Sequence, residues 1–166
     1  MKTADPEVQF STSLKNGKLG VFRIQTLKSQ IEQLLGDQIV FDRTDYNSLT
    51  LDGIEMVFNQ TSNLLESAII KFSLYETEML WQRALGLLWI DWFAKISFEV
   101  LAQSLIIYKI GFKKVEYTDG SSSFIIRALP ATVEIVFVKP YKVDSLRLDF
   151  SNPYQVFSSI RTMTTY

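Results

Sequence analysis

The chain has 166 residues, 17 basic against 18 acidic side chains, 47% hydrophobic residues, and neither histidine nor cysteine. That supports one well-cored domain over residues 1–166, and it excludes disulfides, thiolate nucleophiles, cysteine metal sites and the imidazole that most often acts as general base or metal ligand. A formal net charge of −1 leaves no basic excess for a nucleic-acid binder.

In chain order, the first twenty residues are polar and lack the apolar core of a signal peptide, so the expected location is the cytoplasm. KLGVFRIQ at 18–25 predicts an opening strand. TLKSQIEQLLG at 26–36 places Leu27, Ile31, Leu34 and Leu35 on one face of a helix, with Thr26 as N-cap and Gly36 as its stop. The stretch 36–52, GDQIVFDRTDYNSLTLD, holds Asp37, Asp42, Asp45 and Asp52 against a single Arg43. These four are the candidate contacts for a basic protein partner, whose encounter they would accelerate. The plainer reading is a hairpin kept soluble by its charges. Asp45 and Asp52 as Mg²⁺ ligands rest on a spacing that is not specific. Strands follow at 54–58 and 66–73.

Residues 76–95 carry all three tryptophans, Trp81, Trp89 and Trp92, and lean helical from 76 to 88. They read as an aromatic bolt that fills a shared core; the alternative is a tryptophan-lined ligand pocket. The greasiest stretch, 85–111, contains Asp91, Lys95, Glu99 and Lys109, so it reads as interior and not as a membrane span. Within it, Leu101, Leu105 and Tyr108 share a helical face, Ser97 can cap it and Gly111 can end it. Asp119-Gly120 predicts a hairpin turn between KKVEY and FIIRA. Strands at 133–138 and 144–150 alternate, and the tail from Asn152 reads as a loose end.

The chain writes one strand twice. IEMVF at 54–58 recurs as VEIVF at 133–137, 79 positions on, and ESAIIKFS at 66–73 recurs as DSLRLDFS at 144–151, 78 positions on. Two similar halves, about 18–75 and 97–151, are therefore expected, joined by the aromatic segment 76–96; chance likeness between short apolar strands is the competing reading. The fold class is α+β: helices on one face of an antiparallel sheet whose other face is wet. Phe58, Phe72, Phe137, Phe150, Leu27, Ile31, Leu101 and Leu105 are the expected core. Glu55 and Glu134 occupy equivalent positions of the repeated strand. Brought together, they would shift one another's pKa and could do acid–base work; alternation places both on the solvated face instead.

No phosphate loop, dinucleotide fingerprint or nucleophile elbow occurs. No catalytic residue, metal ligand or cofactor is expected, and the chain does not read as an enzyme.

The order LKSQIEQLLG, then Asp45-Tyr46, then Gly53-Ile54-Glu55 with Phe58, then Ala68 to Phe72, resembles a pattern in small bacterial immunity proteins of polymorphic-toxin and contact-dependent inhibition systems. The likeness covers about the first 75 residues. It implies a non-catalytic protein that binds and neutralises one cognate toxin, often a basic domain, with no nucleic acid and no membrane involved. Rival readings are a dimeric secretion chaperone, a small-molecule binder with a sheet-lined pocket, and a structural subunit of a larger assembly. Either a monomer or a homodimer is compatible.

Overall fold

The computed structural model describes residues 5–23, 25–36, 43–45, 47–51, 53–72, 80–128, 131–138, 142–150 and 160–165. Along them run α1 (Pro6–Lys15), α2 (Lys28–Leu35), β1 (Arg43–Asp45), β2 (Ser48–Leu51), β3 (Ile54–Phe58) and β4 (Leu65–Lys71). Then come α3 (Leu80–Ala84), α4 (Ile90–Phe93), α5 (Phe98–Ile107), β5 (Phe112–Tyr117), β6 (Ser122–Ala128), β7 (Ala131–Val138), β8 (Lys142–Asp149) and β9 (Ile160–Thr165). The strands form one antiparallel sheet in the order β1-β2-β3-β4-β8-β7-β6-β5-β9, so the fold is α+β as expected.

Alternation decides which side of the sheet meets the helices. Ile54, Met56 and Phe58 of β3, Val133, Ile135 and Phe137 of β7, and Leu146 and Leu148 of β8 are buried in one cluster with Phe10 and Leu14 of α1, Ile31 and Leu35 of α2, and Leu101 and Leu105 of α5. Phe72 is buried as well, and Phe150 packs partly buried against the cluster. Leu27 departs from expectation: it and Leu34 are exposed. The eight-residue α2 is too short to turn more than Ile31 and Leu35 to the core.

Three local expectations are corrected. Residues 18–23 do not make a strand, because Gly17 and Gly20 take positive φ (59° and 60°) and fold the chain back on itself; Ile24 lies outside the described residues. Leu19 and Phe22 then exchange backbone hydrogen bonds of 3.0 Å and make only an isolated bridge. Thr26 does not cap α2. Leu27 takes the cap position, its N–H bonded to Gln30 Oε1 at 3.0 Å, while buried Thr26 ties its hydroxyl to Arg23 and Val21. The tail is not loose over 160–165, where β9 pairs with β5 from Lys113↔Thr165 to Tyr117↔Ile160; residues 151–159 lie outside the described residues. Ser97 caps α5 as expected, its Oγ accepting from Val100 N–H at 3.3 Å, but the helix ends before Gly111, where Lys109 turns left-handed at φ 55°.

The strand registers follow the sequence offsets. Ile54 pairs with Ile70 on β4, and Val133, 79 positions on, pairs with Leu148, 78 positions on. The register slips between Val57 and Phe58 in one ladder and between Val136 and Phe137 in the other, which are equivalent places. Between the halves, β4 pairs with β8, and Ile69 faces Arg147, its own counterpart at an offset of 78. The strand order runs outward from that pair through β3, β2 and β1 on one side and through β7, β6 and β5 on the other.

Candidate functional site

Glu55, Ile69, Arg147 and Glu134 form one cross-strand row over β3, β4, β8 and β7 on the sheet face turned away from the helices. Three strand spacings separate the two glutamates, about 14 Å, so they make no carboxylate pair and the acid–base alternative has no geometry here. Their surroundings differ. Glu55 is half-exposed with Lys71 Nζ 3.7 Å away, a surface contact worth little. Glu134 is only 8% exposed, which corrects the expectation of a solvated carboxylate. It accepts hydrogen bonds from the Tyr117 hydroxyl and from Ser123 Oγ, the latter at 3.1 Å. Burial, and then the bond to Glu134, push the Tyr117 phenol up to about 12. Ser123, Thr132, Val115, Ile125 and Asp149 are buried on this same face, so it is wet only in part. This network satisfies a buried carboxylate and holds β5, β6 and β7 in register; it presents no unengaged acid or base.

The tryptophans are core. Trp81 and Trp89 are buried and Trp92 is partly so. Phe10 packs against Trp89 at 4.8 Å and Phe93 at 4.7 Å between ring centroids, and Trp89 meets Phe93 edge-on at 5.5 Å. Over its described residues, 80–96, the segment fills the core with aromatic side chains and does not line a tryptophan pocket. Residues 73–79 lie outside the described residues.

Asp37, Asp42 and Asp52 lie outside the described residues, as does the side chain of Asp45. The backbone of Asp45 belongs to β1, at one edge of the sheet, where it pairs with Ser48. The acidic residues are thus neither gathered nor separated by the described structure. Among the described residues no three histidine, cysteine, aspartate or glutamate side chains are grouped to hold a metal ion. No helix there is long and apolar enough to cross a membrane.

The outer side of α5 is the feature that composition and spacing passed over. Leu101, Ser104 and Leu105 turn inward, and Ser104 Oγ donates to Glu7 of α1 at 2.7 Å. Glu99, Val100, Gln103, Ile106 and Ile107 then share one outward arc of about 120°. Val100 is 49% exposed, Ile106 61% and Ile107 70%. A surface helix ordinarily turns polar residues outward; a helix apolar all round belongs in an interior. The signal was present in FEVLAQSLII, which has one charged residue in ten, but the inward periodicity had drawn attention to its other side.

No known protein family, curated protein or solved structure matches this chain.

Proposed function

We propose that the protein is a non-catalytic protein-binding module, of the immunity type, that holds and neutralises a cognate toxin domain. The observation that carries the reading is the outer arc of α5. Three branched aliphatic side chains, Val100, Ile106 and Ile107, stand in solvent on one helix, and clustered exposure of that kind marks protein contact surfaces. The immunity-like order of the first half supports the type of partner. Asp37, Asp42, Asp45 and Asp52 remain the proposed charged rim, which would govern encounter with a basic partner more than the lifetime of the complex.

The test is direct binding to the purified C-terminal domain of the product of the adjacent reading frame. The wild-type chain is expected to bind and protect against it, and Ile106→Asp with Ile107→Asp to weaken binding at least about thirtyfold, as for a hot spot of about 2 kcal/mol. Unchanged affinity removes α5 from the interface. Substrate turnover by the purified chain, lost on Glu134→Gln, removes the binding-only reading. The dimeric chaperone is the second reading, favoured by the same apolar arc, which would then be covered by another copy. Sedimentation equilibrium separates the two: a monomer that still binds the toxin domain counts against the chaperone.

A further inference from the structure

The loop between α1 and α2 packs, through Gly20 and Val21, against the end of α3 and stands between two adjoining clefts. Gly20 approaches α3's end so closely that a Cβ there would sit 2.1 Å from the Leu85 carbonyl oxygen, and Val21 N–H bonds that same oxygen at 2.9 Å. Thr26 Oγ1 accepts from Arg23 N–H at 3.2 Å and lies 2.9 Å from the Arg23 carbonyl and 3.1 Å from that of Val21, to one of which it donates. Gln25, between Arg23 and Thr26, is held left-handed at φ 67°, a conformation that non-glycine residues keep mainly where surrounding structure imposes it, often at binding sites.

One cleft, about 460 Å³, opens towards α1 and α3 and is lined by Asn16 and Arg83; the other, about 650 Å³, opens towards α2 and is lined by Arg23, Gln30 and Gln33. Both share Lys18, Gly20 and Val21, so they run into one another across the loop. The described lining contains three cations and no acidic side chain, although acidic residues outnumber basic ones in the chain. Lys18 and Arg23 have no carboxylate within ion-pair distance among the described residues.

We infer that these two clefts form one groove that binds an extended, acidic polypeptide segment. Lys18 lines both clefts and Arg23 only the one towards α2, so the cations are spread along the groove, which suits charges repeated along a chain more than a single compact anion. The amide side chains of Asn16 and Gln33 each offer a donor and an acceptor, the complement of a peptide backbone, and Gln30, whose Oε1 already accepts from Leu27 N–H, offers its amide donor. The described lining has no aromatic ring on which a nucleotide base would stack. The groove's preformed loop lowers the ordering cost of binding. The inference rests on the protein-binding reading only for the owner of the segment.

The experiment uses the full chain and a fluorescein-labelled heptaglutamate peptide, followed by anisotropy at low salt. Binding is expected, weakened at least about tenfold by Lys18→Glu with Arg23→Glu and in about 0.5 M salt, where screening is short-ranged. Lys95→Glu with Lys109→Glu changes net charge equally outside the groove and is expected to leave binding nearly unchanged. Labelled heptaglutamine is expected not to bind. Should the first pair disturb folding, Gln30→Glu with Gln33→Glu places like charge on the α2 wall and must weaken binding as well. No binding by the wild type, equal loss in the Lys95 and Lys109 control, or displacement of the peptide by inorganic triphosphate at lower concentration than by unlabelled peptide each overturns the inference. Ile106→Asp with Ile107→Asp leaves heptaglutamate binding intact, so failure of the groove and failure of the α5 interface are read separately.

Discussion

Gly20 and Gly36 both take positive φ, at 60° and 63°, and differ in what surrounds them. A Cβ on Gly36 meets nothing within 4 Å, whereas one on Gly20 meets the Leu85 oxygen. Gly36→Ala is therefore expected to cost backbone strain alone, about 1–3 kcal/mol for a side chain at φ 63°, ψ −174°, and Gly20→Ala more, because strain is joined by a clash that makes loop and α3 part. Equal losses in urea melts would show that the close approach is not real in solution. Phe137, in ring contact with Phe98 at 5.4 Å and Phe124 at 5.8 Å, is a core anchor whose replacement by alanine should cost about 3–5 kcal/mol. Tyr117 makes a pH prediction. Its folded pKa, about 12, lies above the unfolded value near 10. Its protonated form thus contributes stability in full below about pH 10, and that contribution is lost as pH rises towards about 12. Melts on both sides of pH 10 should show a steeper alkaline loss for the wild type than for Tyr117→Phe; parallel curves would mean the phenol is not held by Glu134.

At the scale of elements, α5 shows how one helix answers to two surfaces. Its inner side was legible: Leu101 and Leu105 at helical spacing, and Ser97 at the cap. Ser97→Ala should cost about 1 kcal/mol. Its outer side does not contribute to the core, so Ile106→Asp with Ile107→Asp should shift stability by no more than about 0.5 kcal/mol per site while abolishing binding of an apolar dye. A large loss of stability would place both residues in the core instead. Elements failed to show in sequence where backbone geometry overrode pattern. KLGVFRIQ alternates like a strand, yet Gly17 and Gly20 bend it into a loop. IRTMTT reads as polar tail, yet its β-branched residues suit β9, which gains its order from pairing with β5.

Across the whole molecule, the β4–β8 pairing joins the two halves into one sheet, with Ile69 against Arg147 at its centre. The seam runs from Ser67↔Asp149 to Lys71↔Ser145 in one unbroken register. A single cooperative unfolding transition is expected, with the amides of Ala68, Ile70, Leu146 and Leu148 among the slowest to exchange and exchanging together. Two transitions, or a half that exchanges early as a unit, would show two independent bodies. Phe58→Ala and Phe137→Ala, each beside a register shift of its ladder, should cost similar amounts within a factor of about two.

Periodicity and turn chemistry belong to the chain itself, and from them followed the α+β class, the Asp119-Gly120 hairpin, Leu101 and Leu105 on the inner face of α5, half of the expected α2 face (Ile31 and Leu35, not Leu27 and Leu34) and the repeated strand pair. These are properties of neighbouring residues, whose side chains point where a strand or helix must point them. Sequence also limited the chemistry, since a chain without histidine or cysteine lacks those groups wherever it folds. Tertiary structure alone decided the rest. It determined that Glu55 and Glu134 lie in one row with two strands between them, that Glu134 is buried against Tyr117 and Ser123, and that α5 keeps an apolar face in solvent. It also drew Lys18, Arg23 and Arg83 around one loop. Such relations join residues far apart in the chain, and only the pairing of strands and the packing of helices sets those distances.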